Sequence, residues 1–396
     1  MNNVFTGLLT LAVVAAFTSQ SLVDLADVLV VISVIYFSFR NHEVKSVLYG
    51  FRPKVLWPIW LIVVLGGLLV NLGAFNVYAW IDLTEFKWVI TYLCFIYLGK
   101  NIEQPLKVFR IISVPLLVMN LVSIGLYFFR HEVRAGGIFD AVMAFSHNIA
   151  PVLCLSAVFV FVNWLVLGRN SRILYSVVFI TSWILTSLTL TRGVWIGSIL
   201  AIGVALFAWN YRKAIYISLV LGAICAAVVF SNQSIQNRVF SKTNSELTSN
   251  NERLSLWKAN WRMVQDYPLL GVGFGQNRNH LQKYYTELGF SGDMLISHAH
   301  NQYLQFWAGT GTLGLLCYLT FLLFIFKAIW KGYRNASGEY KGLMLGLFSA
   351  VLCFIIGALT EANFNISKNR FLFLLLAGVA IGFSEKMSAK SGGPVK

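Results

Sequence analysis

Residues 173–211 read ILYSVVFITSWILTSLTLTRGVWIGSILAIGVALFAWNY, 39 residues that hold a single charge, Arg192. A membrane helix needs roughly 20 residues to cross about 30 Å of hydrocarbon. The run is therefore too long for one span. The polar cluster from Thr189 to Gly193 divides it into two helices joined by a very tight turn.

Working outward, comparable apolar runs lie near 4–18, 22–39, 55–73, 86–99, 108–129 and 147–168. The long run gives 173–190 and 193–211, and 214–231, 302–326, 343–360 and 371–384 follow. The pattern predicts an all-α polytopic membrane protein of about twelve transmembrane helices. Composition agrees, with 57% hydrophobic and 12% charged residues and a mean hydropathy of +0.69. Soluble globular chains carry about 25% charged residues. The first 19 residues have no basic n-region and no A-x-A cleavage site, so they read as a retained helix. All five cysteines fall in apolar runs, which gives no disulfide framework.

Twelve spans place both termini on one side of the membrane. Basic residues mark the cytoplasmic side. With both termini cytoplasmic, nearly all of the net charge of +15 falls on inner segments. The charge is then a topology signal, and nucleic acid is not an expected partner. Residues 1–231 form the first nine spans, 232–300 a periplasmic loop, and 301–396 the last three spans with a short cytoplasmic tail. Within the polar loop, Ser249 or Asn250 is placed to cap a helix ending near Asp266, before Pro268. Leu254, Trp257, Trp261 and Val264 recur on it at helical spacing, a face for the bundle or the membrane interface. A second short helix is expected over 277–288.

Two features of the outer side suit chemistry. Its short loops carry Arg130, Arg134, Arg192, Lys368 and Arg370 against the positive-inside trend. Guanidinium groups bind phosphate oxygens in bidentate fashion, which suits a lipid phosphate or pyrophosphate. Snorkelling to ordinary headgroups is the competing reading. The second feature is Ser297-His298-Ala299-His300-Asn301, just before the tenth span. A histidine at a helix N-terminus is kept neutral, as a general base must be; a hydrogen-bonded interface histidine is the alternative. His298 and His300 are two apart and would not share a helix face. Without i,i+4 spacing or nearby Cys or His, they do not suggest zinc. Gly271-Val272-Gly273-Phe274-Gly275 has neither a preceding strand nor a following Gly-Lys, and reads as a turn after Pro268. Asp24 and Asp27, one turn apart, read as complements to a helix dipole.

Four stretches together resemble the O-antigen ligase and polymerase superfamily. Thr191-Arg192-Gly193-Val194-Trp195-Ile196-Gly197 is similar to its S/T-R-G-x-W/L-x-G segment. Arg253-Leu254-Ser255-Leu256-Trp257 and Pro268-Leu269-Leu270-Gly271-Val272-Gly273 resemble its R-x-x-x-W/L helix and P-L-x-G-x-G turn. His300-Asn301, followed after nine residues by Gly311-Thr312-Leu313-Gly314, resembles the ligase pattern H-[NSQ]-x9-G-x-x-[GTV]. More loosely, Arg134-Ala135-Gly136-Gly137-Ile138-Phe139 with His147-Asn148-Ile149-Ala150 echoes R-x-x-G-x-F … N-x-x-A.

The resemblance implies an O-antigen ligase of the bacterial inner membrane with its site facing the periplasm. The donor would be an undecaprenyl-pyrophosphate-linked polysaccharide, and the acceptor a sugar hydroxyl of the lipid A-core oligosaccharide. It implies His300, Arg192 and Arg253 as the catalytic residues, with Arg134, Asn301, Arg130 and His298 around the substrates. Metal-independent, inverting transfer is expected, with no metal or other cofactor and no partners beyond donor, acceptor and membrane lipids. An O-antigen polymerase shares the donor chemistry but usually shows two large outer loops. A protein O-oligosaccharyltransferase is generally longer. A transporter would carry charges near mid-membrane.

Overall fold

The computed structural model describes residues 2–43, 87–132, 134–137, 142–231, 233–240, 244–290 and 298–390. The span expected at 55–73 lies outside the described residues. Each of the other eleven coincides with a helix: α1 (Asn2–Ala16), α2 (Gln20–Arg40), α3 (Lys87–Asn101), α4 (Pro105–Phe129), α5 (Val142–Asn163), α6 (Arg169–Leu188), α7 (Arg192–Trp209), α8 (Tyr211–Ser231), α12 (Gln302–Asn335), α13 (Glu339–Gly357) and α14 (Ser367–Lys390). Between α8 and α12 lie α9 (Gln233–Phe240), α10 (Asn244–Asp266) and α11 (Asn277–Glu287). No strand occurs among the described residues. Among the described residues, eight helices are long and apolar enough to cross a membrane: α2, α4, α5, α6, α7, α12, α13 and α14. The protein is an all-α polytopic membrane protein.

A helix that is apolar on every side must be surrounded by other helices. That describes α5, whose membrane window is 89% buried. It packs on α13, α6 and α7, while α14, 78% buried, packs on α3 and α12. Small residues let backbones meet where lipid supplies no hydrophobic drive. Thus a Cβ on Gly382 would lie 2.4 Å from the Ile96 carbonyl, and one on Gly99 2.7 Å from that of Val379. Outer helices instead turn Ile32, Phe39, Val118, Ile199 and Leu200 outward, as lipid contact requires. Asp24 and Asp27 do not serve the dipole of their own helix. Asp24 pairs with Lys87 at 3.1 Å, and buried Asp27 accepts from Thr91 at 2.5 Å, tying α2 to α3.

α10 ends at Asp266 as expected but starts at Asn244, so Ser249 and Asn250 lie inside it. Its packed face is Leu256, Ala259, Asn260, Met263 and Val264; Leu254, Trp257 and Trp261 are exposed. The apolar periodicity had suggested a stripe rotated from this one. The buried face meets Leu281 and Tyr284 of α11 and Ala308 of α12. Tyr284 donates to Asp266 at 2.9 Å, and Asn277 to the Asn260 side chain at 3.0 Å.

The turn 268–273 is built into α12. Gly311 takes φ 64° and ψ −172°, breaking the helix there, a conformation that only glycine adopts at little cost. The break frees the carbonyls of Ala308 and Gly309 and the amides of Thr312 and Leu313. All four find partners in the turn. Val272 and Gly273 donate to Ala308 and Gly309 at 2.9 Å, while Thr312 and Leu313 donate to Pro268 and Leu269 at 2.8 and 3.4 Å. The Val272 and Gly273 amides are thus used internally, as suits a turn rather than a phosphate cradle.

Candidate active site

The site is assembled where the first residues of α12 meet the connection between α13 and α14. Asn301 caps α12, its Oδ1 accepting from the Leu304 amide at 3.0 Å. The Gln302 amide donates to the Ala358 carbonyl at 2.8 Å, and its Oε1 accepts from the Phe364 amide at 2.9 Å. The Tyr303 hydroxyl donates to Ile355 O at 2.8 Å, and the Ala299 amide to the Gln305 side chain at 2.8 Å. His300 has a positive φ of 47°, a region where histidine is enriched among non-glycine residues.

These constraints aim both histidines at one carboxylate that sequence reasoning did not single out. His298 Nε2 lies 2.8 Å from Glu361 Oε1, and His300 Nδ1 lies 2.8 Å from Glu361 Oε2. Oε1 also accepts from the Ala362 amide at 3.1 Å. The imidazole rings are 4.5 Å apart. On a helix the pair would diverge; in this non-helical segment it converges. The Glu361 side chain is 2% exposed, against 16% for His300 and 29% for His298. Burial alone would raise the Glu361 pKa. Hydrogen bonds from the two histidines, and their charge when protonated, outweigh it and hold the carboxyl well below the usual carboxylate range. A signal for Glu361 was present: it is the one acidic residue between Glu339 and Glu385, at the edge of an apolar span.

Among the described residues, His298, His300 and Glu361 also form the group that could hold a metal ion, their donor atoms lying within 4.8 Å of one another. Each carboxylate oxygen, however, already meets a ring nitrogen directly. That arrangement is the one by which a carboxylate orients an imidazole and fixes its tautomer. With Nδ1 donating to Glu361, His300 keeps Nε2 as a proton acceptor.

Arg192 begins α7, whose next residue, Gly193, meets the connection that carries Glu361. A Cβ on Gly193 would lie 1.8 Å from Thr360 Oγ1, so the start of α7 touches the residue before Glu361. The preceding turn is strained: Leu190 has φ 52°, a cost of about 1–3 kcal/mol for such a residue. Arg134 helps to hold it, donating from Nε to Thr189 O at 2.8 Å and from Nη2 to Thr191 Oγ1 at 3.0 Å. The Trp195 indole closes the turn on Thr186 O at 2.8 Å. Arg253 lies on α10, half-buried. It and Glu361 are both within electrostatic reach of buried His147 on α5, whose Nδ1 lies 3.0 Å from the Met143 carbonyl.

The remaining sequence candidates have distinct surroundings. Arg130 caps the end of α4, is half-exposed and pairs with Glu132 at 3.6 Å. Lys368 donates to Thr18 O at 2.9 Å, joining α14 to the α1–α2 connection. Arg370 is buried, donates to Phe364 O at 3.1 Å and stacks 4.6 Å from the centre of the Trp88 ring.

Residues 177–319 match the family model described as O-antigen ligase. That stretch contains Arg192, Arg253, His298, His300 and Asn301, while Arg130, Arg134 and Glu361 lie outside it. The chain is also 23% identical over 182 residues to a teichuronic acid biosynthesis protein of Bacillus subtilis (strain 168). The alignment covers 46% of this chain and 34% of the relative, about a third of that protein's length. Over residues 177–319, about a third of the chain, this multi-pass membrane protein is similar to the O-antigen ligase family.

Proposed function

We propose that the protein is a glycosyltransferase that moves a polysaccharide from undecaprenyl pyrophosphate to a sugar hydroxyl of a lipid A-core acceptor, at the periplasmic face of the inner membrane. The observation that carries this reading is the 2.8 Å contact between His300 and Glu361 beside the helix that starts with Arg192. Glu361 holds the Nδ1–H of His300, and Nε2 takes the proton of the acceptor hydroxyl. The acceptor oxygen attacks the anomeric carbon, the bond from that carbon to the phosphate oxygen breaks, and configuration inverts. The departing diphosphate is a good leaving group once its charge is neutralised. Arg192 and Arg253 supply that positive charge. Arg134 acts through the turn it braces, Asn301 through the helix cap, and His298 by sharing Glu361. Arg130 belongs to the outer rim that meets phosphate groups. The scheme calls on no metal or nucleotide.

A second reading rests on the matched relative, which by its name serves teichuronic acid biosynthesis. The same base and cations would then lengthen a carrier-linked glycan, with a second carrier-linked chain as acceptor. Reconstitution with purified lipid-linked glycan separates the two. Product on an added core lipid supports ligation; longer carrier-linked chains support polymerisation. In either assay His300→Ala should reduce transfer at least about 100-fold, the usual worth of a general base, at unchanged protein level. Transfer at the wild-type rate would remove His300 from the mechanism.

A further inference from the structure

The fold leaves one apolar flank of α10 uncovered. On a wheel of about 100° per residue, buried Leu256, Ala259, Met263 and Val264 share one side of the helix, and exposed Lys258 and Arg262 lie on the far side. Between the two sectors, within about 60° of one another, come Leu254, Trp257 and Trp261, which are 49, 36 and 46% exposed. An apolar strip with two tryptophans, set between a packed face and a charged one, marks an interaction surface rather than a solvated side.

What the strip meets follows from its continuation on α12. Trp261 packs edge-on against Trp307 of that helix, with ring centres 5.3 Å apart. Exposed Leu269, in the turn that follows α10, accepts from the Leu313 amide beyond the Gly311 break. From there exposed Leu313, Leu316 and Leu323 succeed one another along one side of α12, a helix long and apolar enough to cross a membrane. The strip on α10 therefore runs on to a surface that lipid covers.

α12 also fixes the depth of the strip. Roughly 20 residues span the hydrocarbon. Counted back from Phe326, just before Lys327, the first charge of α12, they reach Trp307. Trp307, and Trp261 against it, thus stand where hydrocarbon gives way to headgroups. Tryptophan gathers at that level, because its ring has an apolar body and a polar N–H.

We propose that Trp257 and Trp261 anchor α10 in the headgroup layer of the membrane that α12 crosses, on the side where α12 begins. The partner is the lipid surface itself. The turn over residues 268–273 already ties the end of α10 to α12, so the flank reaches lipid without rearrangement. The anchor also sets the height of Arg253, one turn from Trp257 on the same helix. It is independent of the reaction proposed above.

Collision measurements on a nitroxide label test it. Full-length protein is reconstituted in nanodiscs of phosphatidylcholine and phosphatidylglycerol, and the label is attached singly through Trp257→Cys, Trp261→Cys or Arg262→Cys. Wild type treated with the same reagent gives the background, the described native cysteines being buried. Power saturation then compares oxygen, which concentrates in lipid, with a water-soluble nickel chelate. The logarithm of the oxygen-to-nickel ratio should be positive for the labels at 257 and 261 and change sign at 262. Collisions dominated by nickel at 257 and 261 would put the flank in water and overturn the anchor. Shielding of both labels from both reagents would put protein over them, a second copy included, and overturn it too. A second measurement needs no cysteine. Quenching of tryptophan emission by lipids brominated next to the headgroup should fall in Trp257→Phe and in Trp261→Phe, with thermal melts reporting that both fold. Quenching unchanged in both variants would also overturn the proposal.

Discussion

Glu361 is a charge that burial should expel and two histidines retain. On the proposed mechanism its value lies in the tautomer it imposes on His300, so Glu361→Gln should lower kcat at least about tenfold. The upper bound is the 10²–10⁴-fold worth of the base itself, and the KM for donor should change little. Steady-state rates against donor concentration check this. A kcat within twofold of wild type would mean that His300 does not depend on the carboxylate. A depressed carboxyl pKa also has a sign in stability. The contribution of Glu361 is complete above its unfolded value of ~4.3 and fades as pH falls below that towards its folded value. The gap in melting temperature between wild type and Glu361→Gln should therefore be smaller well below pH ~4.3 than just above it. Arg192 and His300 were legible because a lone charge in 39 apolar residues and a polar pair before a span stand out locally. Glu361 was not, since it lies 61 residues along the chain from His300 and reads by itself as one more acid at a helix end.

The elements carry the same lesson about distance. Gly193 matters because α7 and the α13–α14 connection touch there. Gly193→Ala should cost about 1–3 kcal/mol by overpacking and, on the proposed mechanism, depress transfer by shifting the start of α7 against the connection that carries Glu361. Adding Thr360→Ala removes the 1.8 Å clash and leaves the milder 2.8 Å contact with Cβ, so the double variant should recover part of both losses. Thermal melts and transfer rates of the three proteins test this; a double variant no better than Gly193→Ala would place the strain elsewhere. The P-L-x-G-x-G turn and the glycine that follows His300-Asn301 after nine residues could be read as two patterns. That they form one unit could not, because the bonds joining them run between backbones about 40 residues apart. α10 illustrates the limit of cap signals. Ser249 and Asn250 are good caps in isolation, yet the helix runs through them from Asn244.

At the scale of the molecule, hydropathy located helices at eleven of the expected spans, eight of them long and apolar enough to cross a membrane, because few structures other than helices satisfy their backbone in lipid. Which helices sit in the centre followed less directly; the all-round apolar character of α5 was the available clue. Sidedness rests on charge alone. A cysteine in place of exposed Lys283 on α11 should react with a membrane-impermeant maleimide from outside intact inner-membrane spheroplasts. One in place of Lys331 near the far end of α12 should not. Labelling of the second and not the first would invert the orientation. The break at Gly311 has a mechanical consequence. Its four released backbone groups are all engaged by residues 268–273, on both sides of the bend. Peeling that strap away would strand four polar groups, each at roughly 1–3 kcal/mol. A bend splinted in this way is no hinge: α10 and α11 ride with α12 as one stiff bracket, and any large motion of the bundle must be found in another part of it.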